Sequence, residues 1–212
     1  MNRLLQGDVG SGKTVVAALA ALIMAKNGLQ SAFMAPTEIL AKQHFETIKK
    51  FFFGVSHEFQ PVTGIITSGG SKIIYETDLV SDVKKDKFAK GVGDGETKII
   101  IGTHALLEKT MSFHNLGLVI VDEQHRFGVK QRAALLHDAN DAKARELREG
   151  TNAPISQHSH RFIPHFLSMS ATPIPRTLAM TVFGDLDIST ITELPSGRKE
   201  IITKIVAPAK RK

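Results

Sequence analysis

The sequence predicts one large α/β domain: a doubly wound, mostly parallel sheet with helices on both faces. Three observations carry this. Lys98 to Gly102, with Ile99, Ile100 and Ile101 in succession, and Leu116 to Val121 are continuous apolar runs rather than alternating ones. Strands of that kind belong to sheets covered on both sides. Stretches of helical character separate the strand-like runs. The polar clusters all follow directly on strands, as they do where ligands gather at the carboxyl edge of an open parallel sheet.

Taken in order, the chain opens with a short apolar run containing Leu4 and Leu5, followed by Gly7-Asp8-Val9-Gly10-Ser11-Gly12-Lys13-Thr14. This fits G-x-x-x-x-G-K-[ST], in which glycines let the backbone turn its N–H groups onto phosphate oxygens. Lys13 would reach the β- and γ-phosphates and the Thr14 hydroxyl a bound Mg²⁺, with the positive end of the next helix adding to the attraction. That helix, Thr14 to Ala25, is almost unbroken Val, Ala, Leu, Ile and Met, and Gly28 suits its left-handed close. Ser31 to Ala35 is a short buried strand stopped by Pro36. Thr37 can cap the following helix, with Glu38 near its positive end. Leu40, His44, Ile48 and Phe51/Phe52 form its core-facing stripe, ending at Gly54.

Pro61 to Thr67 is a patchy strand, Ser68-Gly69-Gly70 a loop and Lys72 to Lys90 a helix, with Gly91, Gly93 and Gly95 marking a flexible turn. The strand from Lys98 ends in Gly102-Thr103-His104, and the strand from Leu116 ends in Asp122-Glu123-Gln124-His125. Gly128 to Arg148 is helical in pattern, with Leu135, Leu136 and Ala139 on one side. Glu149 to His165 contains Gly150, Pro154, Pro164 and three histidines and reads as an irregular surface excursion. Those histidines are read as solvated rather than metal-bound, since no second ligand cluster accompanies them. Phe166 to Met169 is the next strand, ending in Ser170-Ala171-Thr172. Pro173 and Pro175 pin its exit to a helix bearing Ile174, Leu178, Thr181 and Val182, closed by Gly184. Asp187 to Ile191 and Ile201 to Val206 are strand-like pieces around Pro195-Ser196-Gly197-Arg198, and the terminal Lys210-Arg211-Lys212 is a solvated end.

The 212 residues, 42% apolar, are enough for a proper core. The absence of cysteine excludes disulfides, thiolate metal sites and cysteine nucleophiles. With no 18-residue apolar run and no signal-peptide pattern, the expectation is a soluble, cytoplasmic protein with no membrane partner. A net charge of +6 suits a polyanion partner but is common in ordinary soluble domains, so it decides nothing alone.

The chemistry lies in the strand-terminal clusters. A carboxylate where Asp122 stands can hold Mg²⁺, directly or through water, while Glu123 orients or deprotonates the attacking water; phosphoryl transfer needs that division. The plain reading is two acids opening a loop. Ser170 and Thr172 could bridge the Asp122–His125 turn to a second ligand or simply satisfy the strand end. Thr37, Thr103 and His104 could donate to a nucleic-acid backbone, and capping by Thr37 is compatible with that.

The series GDVGSGKT, APTEILAKQH, IIIGTHALL, LVIVDEQHRFGVKQR and MSATPIPRTLAMTVFGDLDIS, followed by ELPSGR, resembles the first helicase lobe of the RecG family of superfamily 2 ATP-dependent DNA helicases. The similarity runs from about Asn2 to Thr203. It implies a RecA-like phosphate-loop NTPase lobe spanning residues 1–212, with an insertion near 149–165 and a C-terminal strand segment at 186–208 leading to a second lobe. It implies ATP and Mg²⁺ as cofactors, held by Gly7, Asp8, Val9, Gly10, Ser11, Gly12, Lys13 and Thr14, with Asp122 and Thr14 on the metal. Lys13, Asp122, Glu123, Gln124 and His125 would carry catalysis. Pro36, Thr37, Glu38, Gly102, Thr103 and His104 match DNA-contacting motifs, and Ser170, Ala171 and Thr172 couple nucleotide state to DNA movement. Arg176 and Arg198 are further candidates for coupling or phosphate contact.

The implied partners are branched or forked DNA, a second helicase lobe and a wedge domain, in a nucleoid-associated setting. Without the second lobe's arginines this segment would bind nucleotide weakly and would not unwind DNA. The transcription-repair coupling translocases, which share the phosphate loop and the PIPRTL segment, are the near alternative. They usually carry two glutamates where Glu123-Gln124 stands here. A nucleotide-dependent protein-binding scaffold is a further alternative, opposed by the intact Lys13, Asp122 and Glu123.

Overall fold

A computed structural model describes residues 1–53, 60–75, 79–108, 110–123, 163–172 and 186–193. They form a nine-stranded sheet with helices packed on both faces. In chain order the elements are β1 (Asn2–Gly7), α1 (Lys13–Lys26), β2 (Gln30–Met34), α2 (Glu38–Phe53), β3 (Thr63–Thr67), β4 (Gly70–Ile74), β5 (Val80–Val83), α3 (Lys85–Gly93) and β6 (Ile99–Gly102). A 3₁₀ turn at His104–Leu107, β7 (Leu116–Asp122), β8 (His165–Ser170) and β9 (Asp187–Ile191) complete them. The strand order is β5-β4-β3-β6-β2-β7-β8-β1-β9.

Every pairing from β3 through β9 is parallel, so the carboxyl ends of seven strands share one edge. β6, and β7 as far as Val121, are apolar along their length because both faces are covered. Phe33, Ile99, Ile101, Leu118 and Ile120 face α1 and α2, which contribute Ala17, Ala21, Phe45 and Ile48. Ala32, Met34, Ile100, Val119 and Val121 face the other way, toward Phe88 and Val92 of α3 and Leu106 of the 3₁₀ turn. Gly64 of β3 is needed there: a Cβ would stand 2.5 Å from the Phe88 ring, whose edge fills that space.

At the amino edge, Gln30 is fully buried and clamps three segments. Its amide nitrogen donates to the Val92 and Thr97 carbonyls, both at 2.8 Å, and its oxygen accepts from Asn115 N at 3.0 Å. A buried amide needs all of these partners, so this residue is structural and lies away from the polar edge.

The expected helix at Lys72 to Lys90 is not formed. Residues 70–74 and 80–83 instead make antiparallel strands β4 and β5, and only Lys85–Gly93 is helical. β-branched Ile73 and Ile74 are buried on the sheet, and Gly70 at φ +138° lets the hairpin turn close. Tertiary pairing overrides local helical propensity, which is a weak determinant by comparison. Gly91 and Gly93 accordingly fall within α3 rather than in a turn, while Gly95, at φ +77°, does turn the chain. In α2 the buried stripe is Ala41, His44, Phe45, Ile48 and Phe52, with Phe51 turned outward. His165 begins β8 instead of ending a loop, its Nδ1 lying 2.7 Å from the Met1 amino group. The helices expected at Gly128 to Arg148 and after Pro173, the strand at Ile201 to Val206, and the body of the 149–165 excursion lie outside the described residues.

Candidate functional site

Gly7 ends β1 and Lys13 begins α1, so the glycine-rich loop is the whole connection between strand and helix. Gly10 at φ +81° and Gly12 at φ +94° hold left-handed backbone that other residues rarely adopt. At Gly7 the constraint is space, since a Cβ would lie 2.6 Å from Ser11 Oγ. The turn is closed by Ser11 N donating to Asp8 O at 3.1 Å, and Val9 N donates to Asp8 Oδ1 at 2.7 Å. Lys13 Nζ reaches back across the loop and donates to the Gly7 and Asp8 carbonyls, each at 2.8 Å.

The helix end is built for an anion. Gly12 at the cap supplies no side chain to the first-turn N–H groups, and no acid stands in that turn. Those donors and the positive end of the dipole face outward together. Ser11 Oγ is buried with no hydrogen-bond partner among the described residues. An orphaned hydroxyl beside uncapped amides fits a phosphate group, which supplies acceptors to both.

Sheet register brings the acids to the same edge. Asp122 pairs with Met169 across β7 and β8, and Met169 pairs with Leu5 across β8 and β1. Two strand spacings, about 10 Å, therefore separate Asp122 from the strand that ends in the loop. Gln6 joins the two neighbours: its Nε2 donates to the Thr172 carbonyl at 3.3 Å. Ser170 and Thr172 bind each other, with their hydroxyl oxygens 3.0 Å apart and Thr172 N donating to Ser170 Oγ at 3.3 Å. Strand-end satisfaction is thus visible for this pair, in direct connection with β1.

Asp122 is buried, and His44 Nε2 of α2 donates to its Oδ2 at 2.7 Å. The imidazole in turn lies against Phe33 of β2, ring centroids 4.6 Å apart. A carboxylate has lone pairs on both oxygens, so one bond to His44 leaves Oδ1 able to ligate a cation. Glu123 follows with φ +50°, rare for a non-glycine residue, and its N–H donates to the Met169 carbonyl at 3.0 Å. Held strain of this kind gathers at functional sites.

The remaining candidates lie on the other half of the edge. Ala35 N donates to Gly102 O at 2.8 Å, putting the Pro36–Glu38 and Gly102–His104 segments on adjoining strands. Thr37 Oγ1 caps α2, accepting from Leu40 N at 3.3 Å. Gly102 is packed so closely that a Cβ would meet Ile66 O at 2.7 Å and Leu106 Cγ at 2.9 Å. Thr103 is partly exposed and His104 exposed, opening the 3₁₀ turn.

Glu38 is committed locally. Its Oε1 accepts from Ser68 Oγ at 3.0 Å and from Gly69 N at 2.7 Å, fastening α2 to the β3–β4 turn. Hydrogen bonding by Thr67, then Gly69 and Ser68, holds its pKa down from 4.5 to about 2. A lowered folded-state pKa means that this clamp contributes fully above the unfolded value and fades as pH falls from 4.5 toward 2. The Gly69 amide proton is therefore expected to titrate with a midpoint near pH 2 by NMR, and Glu38→Gln to abolish the step; a midpoint at 4.5 would refute the clamp. Gln124, His125, Arg176 and Arg198 lie outside the described residues. His44 and Gln6 carry no functional reading in the sequence: His44 looks like part of an apolar stripe and Gln6 like the end of a strand.

Residues 1–181 match the DEAD/DEAH box helicase family. The chain belongs to that family. Among curated members, it is 45% identical over 205 residues to the ATP-dependent DNA helicase RecG of Aquifex aeolicus, covering 97% of this chain and 22% of that protein. The RecG of Streptococcus pneumoniae is also 45% identical over 205 residues, covering 96% of this chain and 25% of that protein. A solved structure of RecG bound to a three-way DNA junction superposes with a TM-score of 0.64 at 39% identity, over 95% of this chain and 22% of that chain. The similarity to RecG is the one the motif series implies. This DEAD/DEAH box chain spans about a quarter of the length of these relatives. No helix among the described residues is long and apolar enough to cross a membrane.

Proposed function

We propose that residues 1–212 are a single nucleotide-binding lobe of an ATP-dependent helicase that acts on branched DNA, working with a second lobe and a wedge domain in a nucleoid-associated setting. Residues 149–165 would be an insertion, and residues 186–208 would lead toward the second lobe. The observation that carries the reading is the shared carboxyl edge, with the glycine-rich loop at one end of a row and the Asp122–Glu123 pair about 10 Å along it.

In this reading Lys13, Ser11 and the first-turn amides of α1 hold the triphosphate. Thr14 and Asp122 hold Mg²⁺, which when bound neutralises charge on the phosphates. Glu123 orients the attacking water and takes its proton, with Gln124 and His125 completing the motif. Thr37, Thr103 and His104, with their backbone amides, grip the DNA backbone, and Ser170 to Thr172 with Arg176 relay nucleotide state to that grip. Similarity to RecG, one of whose structures holds a three-way junction, favours branched DNA over plain duplex.

The test is ATP turnover by the full-length protein with three-way junction DNA against linear duplex of equal length. Stimulation by the junction well above that by duplex is expected; equal stimulation would defeat the branched-DNA assignment.

A further inference from the structure

We propose that His44 is a positioning residue for Asp122, and that through it helix α2 ties the nucleic-acid segment at its own N-terminus to the metal site. This rests on the reading of Asp122 as a metal ligand. The contact itself is short, 2.7 Å, and dry, with the two side chains only 9% and 12% exposed. Hydrogen bonds to a carboxylate are among the stronger kinds, and in a buried site water does not compete for them. Phe33 backs the imidazole from β2, so the ring has little freedom to turn. The bond fixes Oδ2 and with it the direction in which Oδ1 is offered. Carboxylates that ligate metals are themselves commonly oriented by such outer partners.

The second half of the inference comes from where His44 sits. Thr37 caps α2, and His44 lies seven residues on, about 10 Å along the axis. The entry to α2 is fastened on two sides: Ala35 N to the Gly102 carbonyl, and Glu38 to the β3–β4 turn. The candidate DNA segments on β2 and β6 and the acid on β7 therefore share one rigid element. A load on the Thr37 end that shifts α2 along its axis must move His44 against Asp122.

A histidine satisfied inside a core would share the same burial, so the experiment separates the two roles. In the full-length protein, affinity for a fluorescent ATP analogue is measured with and without Mg²⁺, and with and without three-way junction DNA. His44→Asn is expected to lower the Mg²⁺-dependent part of the affinity about 10–100-fold and leave Mg²⁺-free binding unchanged. His44→Gln, whose amide can reach the place of Nε2, should recover much of that loss and keeps the test open if the asparagine variant folds poorly. With Asp122→Asn in place, His44→Asn should add little further loss, since both act through one carboxylate. Junction DNA should raise Mg²⁺-nucleotide affinity in the parent and not in His44→Asn. Parent-like Mg²⁺ dependence in both His44 variants, or an equal loss with and without Mg²⁺, overturns the positioning role alone. Absence of nucleotide binding by the parent overturns the underlying site together with it.

Discussion

Replacing Lys13 with alanine is expected to cut ATP turnover by about 10²–10³-fold, the loss seen when one preorganised charge is removed from a developing anion. The fold should survive. Among the described residues Lys13 Nζ hydrogen-bonds to the Gly7 and Asp8 carbonyls at the end of β1, while the core beneath is formed by Leu5, Ala17, Ala21 and their neighbours. Alanine also has the highest intrinsic helix propensity, so α1 should tolerate it. The loop would keep its shape, since Gly10, Gly12 and the Ser11–Asp8 bond set it without the lysine. Loss should appear in both nucleotide affinity and turnover, because in the proposed site the ammonium would serve the bound phosphates as well as the transition state. The measurement is junction-stimulated hydrolysis by the full-length protein, with a thermal melt beside it. Unchanged turnover by a well-folded Lys13→Ala protein would remove the phosphate-loop reading and all that stands on it.

The sequence carries the sheet and its polar edge because both are dictated locally. Ile99-Ile100-Ile101 and Leu118-Val119-Ile120-Val121 have no polar face to offer, so they must lie in a sheet covered on both sides. Gly10 and Gly12 of the phosphate loop and Gly28 are legible because left-handed backbone selects glycine. What is not legible is set by contacts distant in the chain. Residues 70–74 and 80–83 become strands because β3 is present for β4 to pair with and β4 for β5, which the chain read locally does not show. His44 falls at a helical spacing that any apolar residue would satisfy. Its meaning depends on Asp122, 78 positions later. Gln6 is similar: its partner, the Thr172 carbonyl, is 166 positions away. The site's first contacts are thus written in short motifs, while the side chains that aim them are chosen by tertiary packing.

Glu123→Gln is expected to lower turnover by about 10²–10⁴-fold while ATP and DNA binding persist, since the amide keeps the shape of the side chain but cannot accept the water's proton. The backbone makes this site separable from stability. Glu123 sits at φ +50°, where a residue with a side chain pays about 1–2 kcal/mol, and the bond from its N–H to Met169 O holds it there. Glutamine has the same backbone preferences, so the strain and the melting temperature should not change. Glycine gives the sharper contrast. Glu123→Gly relieves the left-handed strain, against a greater chain entropy in the unfolded state of about 0.5–1 kcal/mol. The two effects partly cancel, leaving stability between that of the parent and about 1.5 kcal/mol above it, yet turnover should remain as low as in the glutamine variant. A strained residue that costs stability yet cannot be relaxed without losing activity is one whose side chain, rather than its backbone, is needed. If Glu123→Gly hydrolyses ATP at the parental rate, the proton acceptor is elsewhere, and the left-handed turn after Asp122 serves only to end β7.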